Sequence, residues 1–296
     1  MKKLLTILLL AVCLVTEAQI QTPSPSPAAS VSSVIGVTDV KIDYSRPRVK
    51  GRKVFGEKDV MHPYGQIWRT GANNGTKITF STDVTVEGVT VPKGEYLIFT
   101  WPGATEWTVS LYKDISIGGA TDSYDKSKEA ANFKVKAEKP AELVETFTVS
   151  IDDIAADNKS GVVSLAFENA KIKFTVSADY DAAVMKSIDE KTKVSPGNYV
   201  TAATYYFNNG KDLKKALEWM TIGIETGNKE AFWNIHTKAK IQKALGDNQG
   251  ALATAQQSLD LAKKNAQGDF GYTKLNEDLI KEINAELAKA PVKKKK

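Results

Sequence analysis

From Val31 to about Ser177 the chain alternates apolar and polar residues with a period of two. Val40, Ile42 and Tyr44 interleave with Lys41, Asp43 and Ser45, the pattern of a half-buried strand. The alternation returns in the pairs Ile78 with Phe80, Val84 with Val86, Trp107 with Val109 and Phe133 with Val135. Phe147, Val149 and Ile151 continue it, followed by Val163, Leu165 and Phe167, and then Ile172, Phe174 and Val176. Tyr96 to Trp101 is a further run of this kind. Turn signals such as Glu87-Gly88, Pro92-Lys93-Gly94 and Ser160-Gly161 separate the segments. Strands in this number with no helix between them predict an antiparallel sandwich or barrel, and the sandwich is the expectation taken forward.

At Asp179 the period changes. Asp179 reads as the N-cap of a helix running toward Lys193, which Ser195-Pro196-Gly197 then breaks. Helical segments continue to about Lys289. Two of them repeat: Gly210-Lys211-Asp212 precedes Ala216, and Gly246-Asp247 precedes Ala251. The alanines are 35 residues apart, close to the ~34-residue period of tetratricopeptide repeats. The other half of that repeat is degenerate, with Val200, Thr204 and Phe207 in its large positions. Two readings stand for these helices, a peptide-binding hairpin array or a small bundle capping the sandwich.

The ends of the chain supply the remaining boundaries. Met1-Lys2-Lys3 and an apolar run to Val15, with Thr16-Glu17-Ala18 after it, fit a signal peptide cleaved after Ala18. A lipoprotein signal using Cys13 is the rival reading, disfavoured by Val12 where a small residue is expected. The chain then divides into a signal peptide (1–18), a Pro/Ser linker (19–30), a β-sandwich (31–178), tetratricopeptide-like helices (179–290) and a Lys-rich tail (291–296). The expected class is α+β and multidomain. No segment reaches the roughly 18 apolar residues of a transmembrane helix, and the expected location is periplasmic or secreted. Cys13 is the only cysteine, so the mature chain has no disulfide, thiolate nucleophile or Cys-ligated zinc. The net charge of +5 comes mostly from the Lys293–Lys296 tail, which leaves the body near neutral and gives no footprint for nucleic acid.

Charge type is more informative than charge sum. The chain has 40 Lys and Arg residues, and its four arginines, Arg46, Arg48, Arg52 and Arg69, all lie in one short window. Guanidinium offers what lysine cannot, a planar fork of donors and a face that stacks on rings. Tyr44, Tyr64 and Trp68 lie in the same stretch.

The β region resembles the bacterial domain-of-unknown-function family 2911, common in exported envelope proteins. The resemblance rests on Asp43-Tyr44-Ser45-Arg46-Pro47, on Lys50-Gly51-Arg52 and on Pro63-Tyr64-Gly65-Gln66-Ile67-Trp68-Arg69-Thr70-Gly71-Ala72-Asn73. Lys77-Ile78-Thr79-Phe80, Pro92-Lys93-Gly94-Glu95-Tyr96 and Glu106-Trp107 extend it over residues 31–178. It implies fold, export and motif positions but no reaction.

Tyr44, Arg46, Arg52, Tyr64, Trp68, Arg69, Thr70 and Asn73 are therefore the candidate binding residues, suited to an anionic or glycan ligand. The competing reading has Arg46 and Arg69 pairing with Asp43, Glu57 or Asp59 to staple the long loop onto the sheet. No catalytic, cofactor or metal site is expected. Only His62 and His236 are present, and no Gly-x-Ser-x-Gly elbow, phosphate loop or dinucleotide fingerprint occurs. The functional expectation is an exported envelope protein that binds a ligand, or a protein partner through helices 179–290. A hydrolase of envelope polymer with its site in residues 44–73 is the alternative.

Overall fold

The computed structural model describes residues 22–289. The apolar N-terminal run, Cys13, the Ala18 cleavage position and the Lys tail lie outside the described residues. The described chain divides into two compact units, the first ending at Tyr180 and the second beginning at Asp181. The first is built on antiparallel strands and the second on helices, so the class is α+β.

Thirteen strands are described in the first unit. Nine run in the order β1 (Ala28–Ile35), β2 (Thr38–Ser45), β5 (Thr76–Phe80), β8 (Gly94–Trp101), β9 (Glu106–Tyr112), β10 (Glu129–Glu138), β13 (Ala170–Ser177), β12 (Ser160–Glu168) and β11 (Val144–Asp152). The hairpin of β6 (Val84–Val86) and β7 (Val89–Val91) adds to β13. β3 (Phe55–Gly56) and β4 (His62–Pro63) form a separate parallel pair. Strand β10 is the corner: most of it pairs with β9, while Ala137 and Glu138 pair with Ile172 and Lys171 of β13. At the far end the chain leaving β2 meets β11, through Val49 N–H to Glu145 O (2.8 Å) and Phe147 N–H to Pro47 O (2.9 Å). The inward residues of both halves enclose one core that includes Ile42, Ile78, Trp107, Phe147, Phe167 and Phe174.

Two differences from the sequence pattern have physical causes. Strand β1 starts at Ala28, inside the segment read as linker, because its backbone pairs with β2 from Ala28 opposite Ser45 onward. Ladder bonds of this kind need no apolar side chain. Residues 96–101 do not alternate because both faces of β8 are covered. Tyr96 and Ile98 belong to the main core, whereas Leu97 and Phe99 pack outward with Tyr112 against Ile117 and Tyr124.

The second unit holds α1 (Asp181–Lys191), α2 (Pro196–Asn208), α3 (Leu213–Thr226), α4 (Phe232–Ala244), α5 (Asn248–Lys264) and α6 (Tyr272–Lys289). The break at 195–197 is also a start, since Ser195 caps α2 with Pro196 in its first turn. The repeated Gly-Asp pattern makes the two hairpin turns. Gly210 and Gly246 adopt positive φ, and Asp212 and Asp247 cap α3 and α5 through their side chains. Ala216 and Ala251 are both fully buried at the helix contacts. The helices after the β unit are tetratricopeptide-like. Among the described residues no helix is long and apolar enough to cross a membrane.

Candidate functional site

The chain leaving β2 is tied down residue by residue. Lys50 and Gly51 both have positive φ, and Arg52 N–H bonds Val49 O at 3.1 Å, the signature of a tight mirror-image turn. That turn folds Arg52 back on itself, so that Nε donates to Val49 O (2.9 Å) and Nη2 to Arg48 O (2.5 Å). Farther along, Trp68 plugs the loop into the core. It is 2 % exposed, its backbone pairs with Thr100, and its indole stacks parallel to Phe167 and donates to Gly71 O.

After Trp68 the backbone is strained. Thr70 has φ +54 and Asn73 φ +55, and positive φ in a β-branched residue persists only when its surroundings over-determine it. Here they do. The Thr70 and Thr100 hydroxyls hydrogen-bond at 3.0 Å, and Thr76 Oγ1 donates to Thr70 O. Asn73 Nδ2 donates to Ser45 Oγ at 3.1 Å, and Arg69 Nη1 donates to Asn73 O at 3.1 Å.

The arginines do not make the expected carboxylate pairs. Arg46 bridges to β11, with Nε on Phe147 O (3.1 Å) and Nη2 on Thr148 Oγ1 (3.0 Å). Arg52 and Arg69 hold carbonyls of their own loop. Asp43 pairs with Lys41 instead, and the ion pairs found among the described residues all use lysine. The staple is therefore real, but its acceptors are main-chain and hydroxyl oxygens. Carbonyls and hydroxyls carry no net charge, so these bonds use one or two nitrogens of each guanidinium and leave its charge uncompensated. The Arg48 side chain has no hydrogen-bond or ion-pair partner among the described residues; its backbone alone bridges Thr146.

These residues border a cleft of about 390 Å³. Arg48, Lys50, Arg52 and Arg69 line it, with Trp68, His62 and Asn73, and no carboxylate does. Burial pushes the His62 imidazole down to about 4, and the positive potential of Arg69 and then Arg52 adds to the shift. His62 is therefore neutral near pH 7, packed at 5.0 Å from the Trp68 ring. Among the described residues no group of His, Cys, Asp and Glu is arranged to hold a metal.

Of the sequence candidates, Arg52, Trp68, Arg69 and Asn73 meet at this cleft. Tyr44 lines a second, larger cavity that shares Arg69 and Asn73. Arg46 points away onto β11, and Tyr64 borders neither cavity. Thr70 is 0 % exposed and serves the backbone geometry. Three further participants stand outside that candidate set: Arg48, which belongs to the arginine window, His62, and Gly118-Gly119, which come from a segment with no periodic signal. A Cβ on Gly119 would lie 2.7 Å from Arg69 Cδ and 2.6 Å from Asn73 O, so only glycine allows that approach.

Comparison with curated proteins and with solved structures finds no match. A family profile described as "Protein of unknown function (DUF2911)" matches residues 26–176, spanning every strand from β1 to β12 and the loops that build the cleft. The chain belongs to the DUF2911 family, and the arginine cleft lies within the part that defines the membership.

Proposed function

We propose that the β unit of this protein binds a small anionic group, a phosphate or a carboxylate, in the cleft between Arg48, Arg52 and Arg69. The observation that carries the reading is Arg48. Arg46 and Arg52 each place two guanidinium nitrogens on oxygens of the protein and Arg69 places one; Arg48 borders a cleft lined by cations and has no side-chain partner among the described residues. A cluster of cations without a carboxylate attracts an anion, and guanidinium supplies the paired donors that a carboxylate or phosphate accepts. The alternative of a polymer hydrolase draws no support from this geometry, since His62 shares the cleft with no carboxylate to orient it. The pattern of residues 1–18 supports export to the envelope as the setting.

Calorimetric titration of the full-length mature chain with inorganic phosphate and with glucuronate tests the reading. Saturable binding that weakens about tenfold in Arg48→Ala, the cost of one charge-assisted hydrogen bond, and that falls with added salt is the expected result. Absence of saturable binding for both anions overturns it.

A second reading concerns the helical unit. Trp233 and Phe270 are 41 % and 67 % exposed and, with Phe232 and Leu261, line a cleft of about 490 Å³. Exposed aromatics of this kind are the usual anchors of a protein contact. A partner retained by the wild type and released by Phe270→Ala supports it; equal retention counts against it.

A further inference from the structure

The larger cavity is an open trough of about 1130 Å³ that begins where the arginine cleft ends, because Arg69 and Asn73 line both. Strands β1, β2, β5 and β8 supply one wall through Ala28, Ser30, Asp43, Ser45, Lys77 and Leu97, and residues 115–122 supply the other. Single small-ligand pockets measure about 300–1,000 Å³. The cleft is at the bottom of that range and the trough is beyond it, which suits an elongated ligand anchored at one end.

The two cavities differ in chemistry. Uncompensated cations dominate the cleft. The trough presents the hydroxyls of Ser30, Ser45, Ser116 and Thr121, the amide of Asn74 and the carboxylates of Asp43 and Asp122. Asp43 is paired with Lys41, the Ser116 hydroxyl donates to Asp114 and Ser45 Oγ accepts from Asn73, which leaves Asp122 as the lining carboxylate without a partner among the described residues. Lys77, the cation on its strand wall, is already paired with Glu95 at 2.7 Å. The side chains of Asn74 and Asp122 have no partner among the described residues. Acceptors and donors mixed in this way match groups that both donate and accept, which is the property of hydroxyls. The Asp122 carboxylate in the lining repels a continuous polyanion. Strand β1 on the strand wall ends the sheet order, so a peptide is the rival occupant that the titration probes must separate from a sugar. Ile115 and Ile117 add apolar surface on the loop side.

We infer that the trough and the cleft together bind an oligosaccharide with one acidic unit, the acid held by the cleft and the neutral, hydroxyl-rich units laid along the trough. This rests on the anion-binding reading for its acidic end only. Gly119 makes the junction, because the absence of a Cβ lets Arg69 pass beneath the trough loop and face both cavities.

The test is calorimetric titration of the full-length mature chain with three probes: glucuronate, a tetrasaccharide with one terminal glucuronate, and the matching neutral tetrasaccharide. The acidic tetrasaccharide is expected to bind about tenfold or more tightly than glucuronate, the gain of a second linked contact. Ala28→Trp, at an exposed position of β1 facing the trough, removes that gain and leaves glucuronate binding unchanged. Asp122→Lys does the same without filling space. Arg48→Ala weakens both acidic probes equally. Equal affinity of wild type for glucuronate and the acidic tetrasaccharide overturns the trough and leaves the anion reading standing. Binding of both tetrasaccharides with none of glucuronate, abolished by Ala28→Trp, supports the trough and overturns the anion reading. An acidic peptide or single-stranded oligonucleotide of similar length that binds as tightly as the acidic tetrasaccharide overturns the assignment to a sugar.

Discussion

The β unit and the helical unit reach order by opposite routes. In the helical unit the determinants are local and repeated: an Asp cap, a positive-φ glycine and a buried alanine recur in each hairpin. In the β unit they are long-range. Trp68 is fixed by Thr100, Arg46 by Phe147, and Arg69 lies under Gly119. Local devices place helices but present few converging polar groups. Long-range ties hold a strained loop against a rigid sheet, and that is where unpartnered cations can be maintained beside a cleft.

Differential scanning calorimetry with substitutions in each unit would break or sharpen this contrast. The largest effect is expected for Trp68→Ala, which removes an indole packed on Phe55, Phe147 and Phe167. It should cost about 3–5 kcal/mol in the β transition and leave the helical transition in place. Ala251→Leu inserts volume at a contact with no spare room and should cost about 1–3 kcal/mol in the helical transition alone. Next comes Asp247→Ala, which removes the cap on Gly250 N–H, at about 1 kcal/mol, again only in the helices. A single merged transition that shifts with every variant would refute the separation.

The histidines give a pH comparison. Both are held below the ordinary value, His62 by burial and then Arg69 and Arg52, His236 by burial against the opposing bond to Asn276. The unfolded chain protonates first as pH falls through about 6.5, so each depressed imidazole withdraws stability below that pH, for His62 down to about 4. His62→Gln should flatten the acid-side loss of the β transition, and His236→Gln that of the helical transition. The smallest effect on stability is expected for Arg48→Ala, within about 0.5 kcal/mol, because its side chain has no partner among the described residues. Unchanged melting with lost anion binding would separate the role of Arg48 from the stapling role of Arg46.

Much of this is legible in the sequence. Period-two alternation placed the strands, and the glycine, aspartate and alanine spacing placed the helical hairpins. Lysine's dominance elsewhere pointed to residues 46–69. The partners of those arginines were not legible, because every residue carries a carbonyl and nothing in the sequence says which one will face a guanidinium. Carboxylates are visible as letters, and so Asp43, Glu57 and Asp59 drew the expectation wrongly. Residues 115–122 were silent for a related reason: they have no periodicity, and their relation to Arg69 exists only once β5, β8 and β9 lie side by side.

The sequence by itself determined the two classes of element, the order in which they occur and the position of the guanidinium groups, since these follow from side-chain periodicity and from residue type. Tertiary structure alone decided which cations remain uncompensated, that Thr70 is buried while Arg48 is not, and that a glycine pair opens the cleft into a trough. Those outcomes depend on which backbone atoms the fold brings within hydrogen-bonding distance, and that is set by strand pairing between residues far apart in the chain.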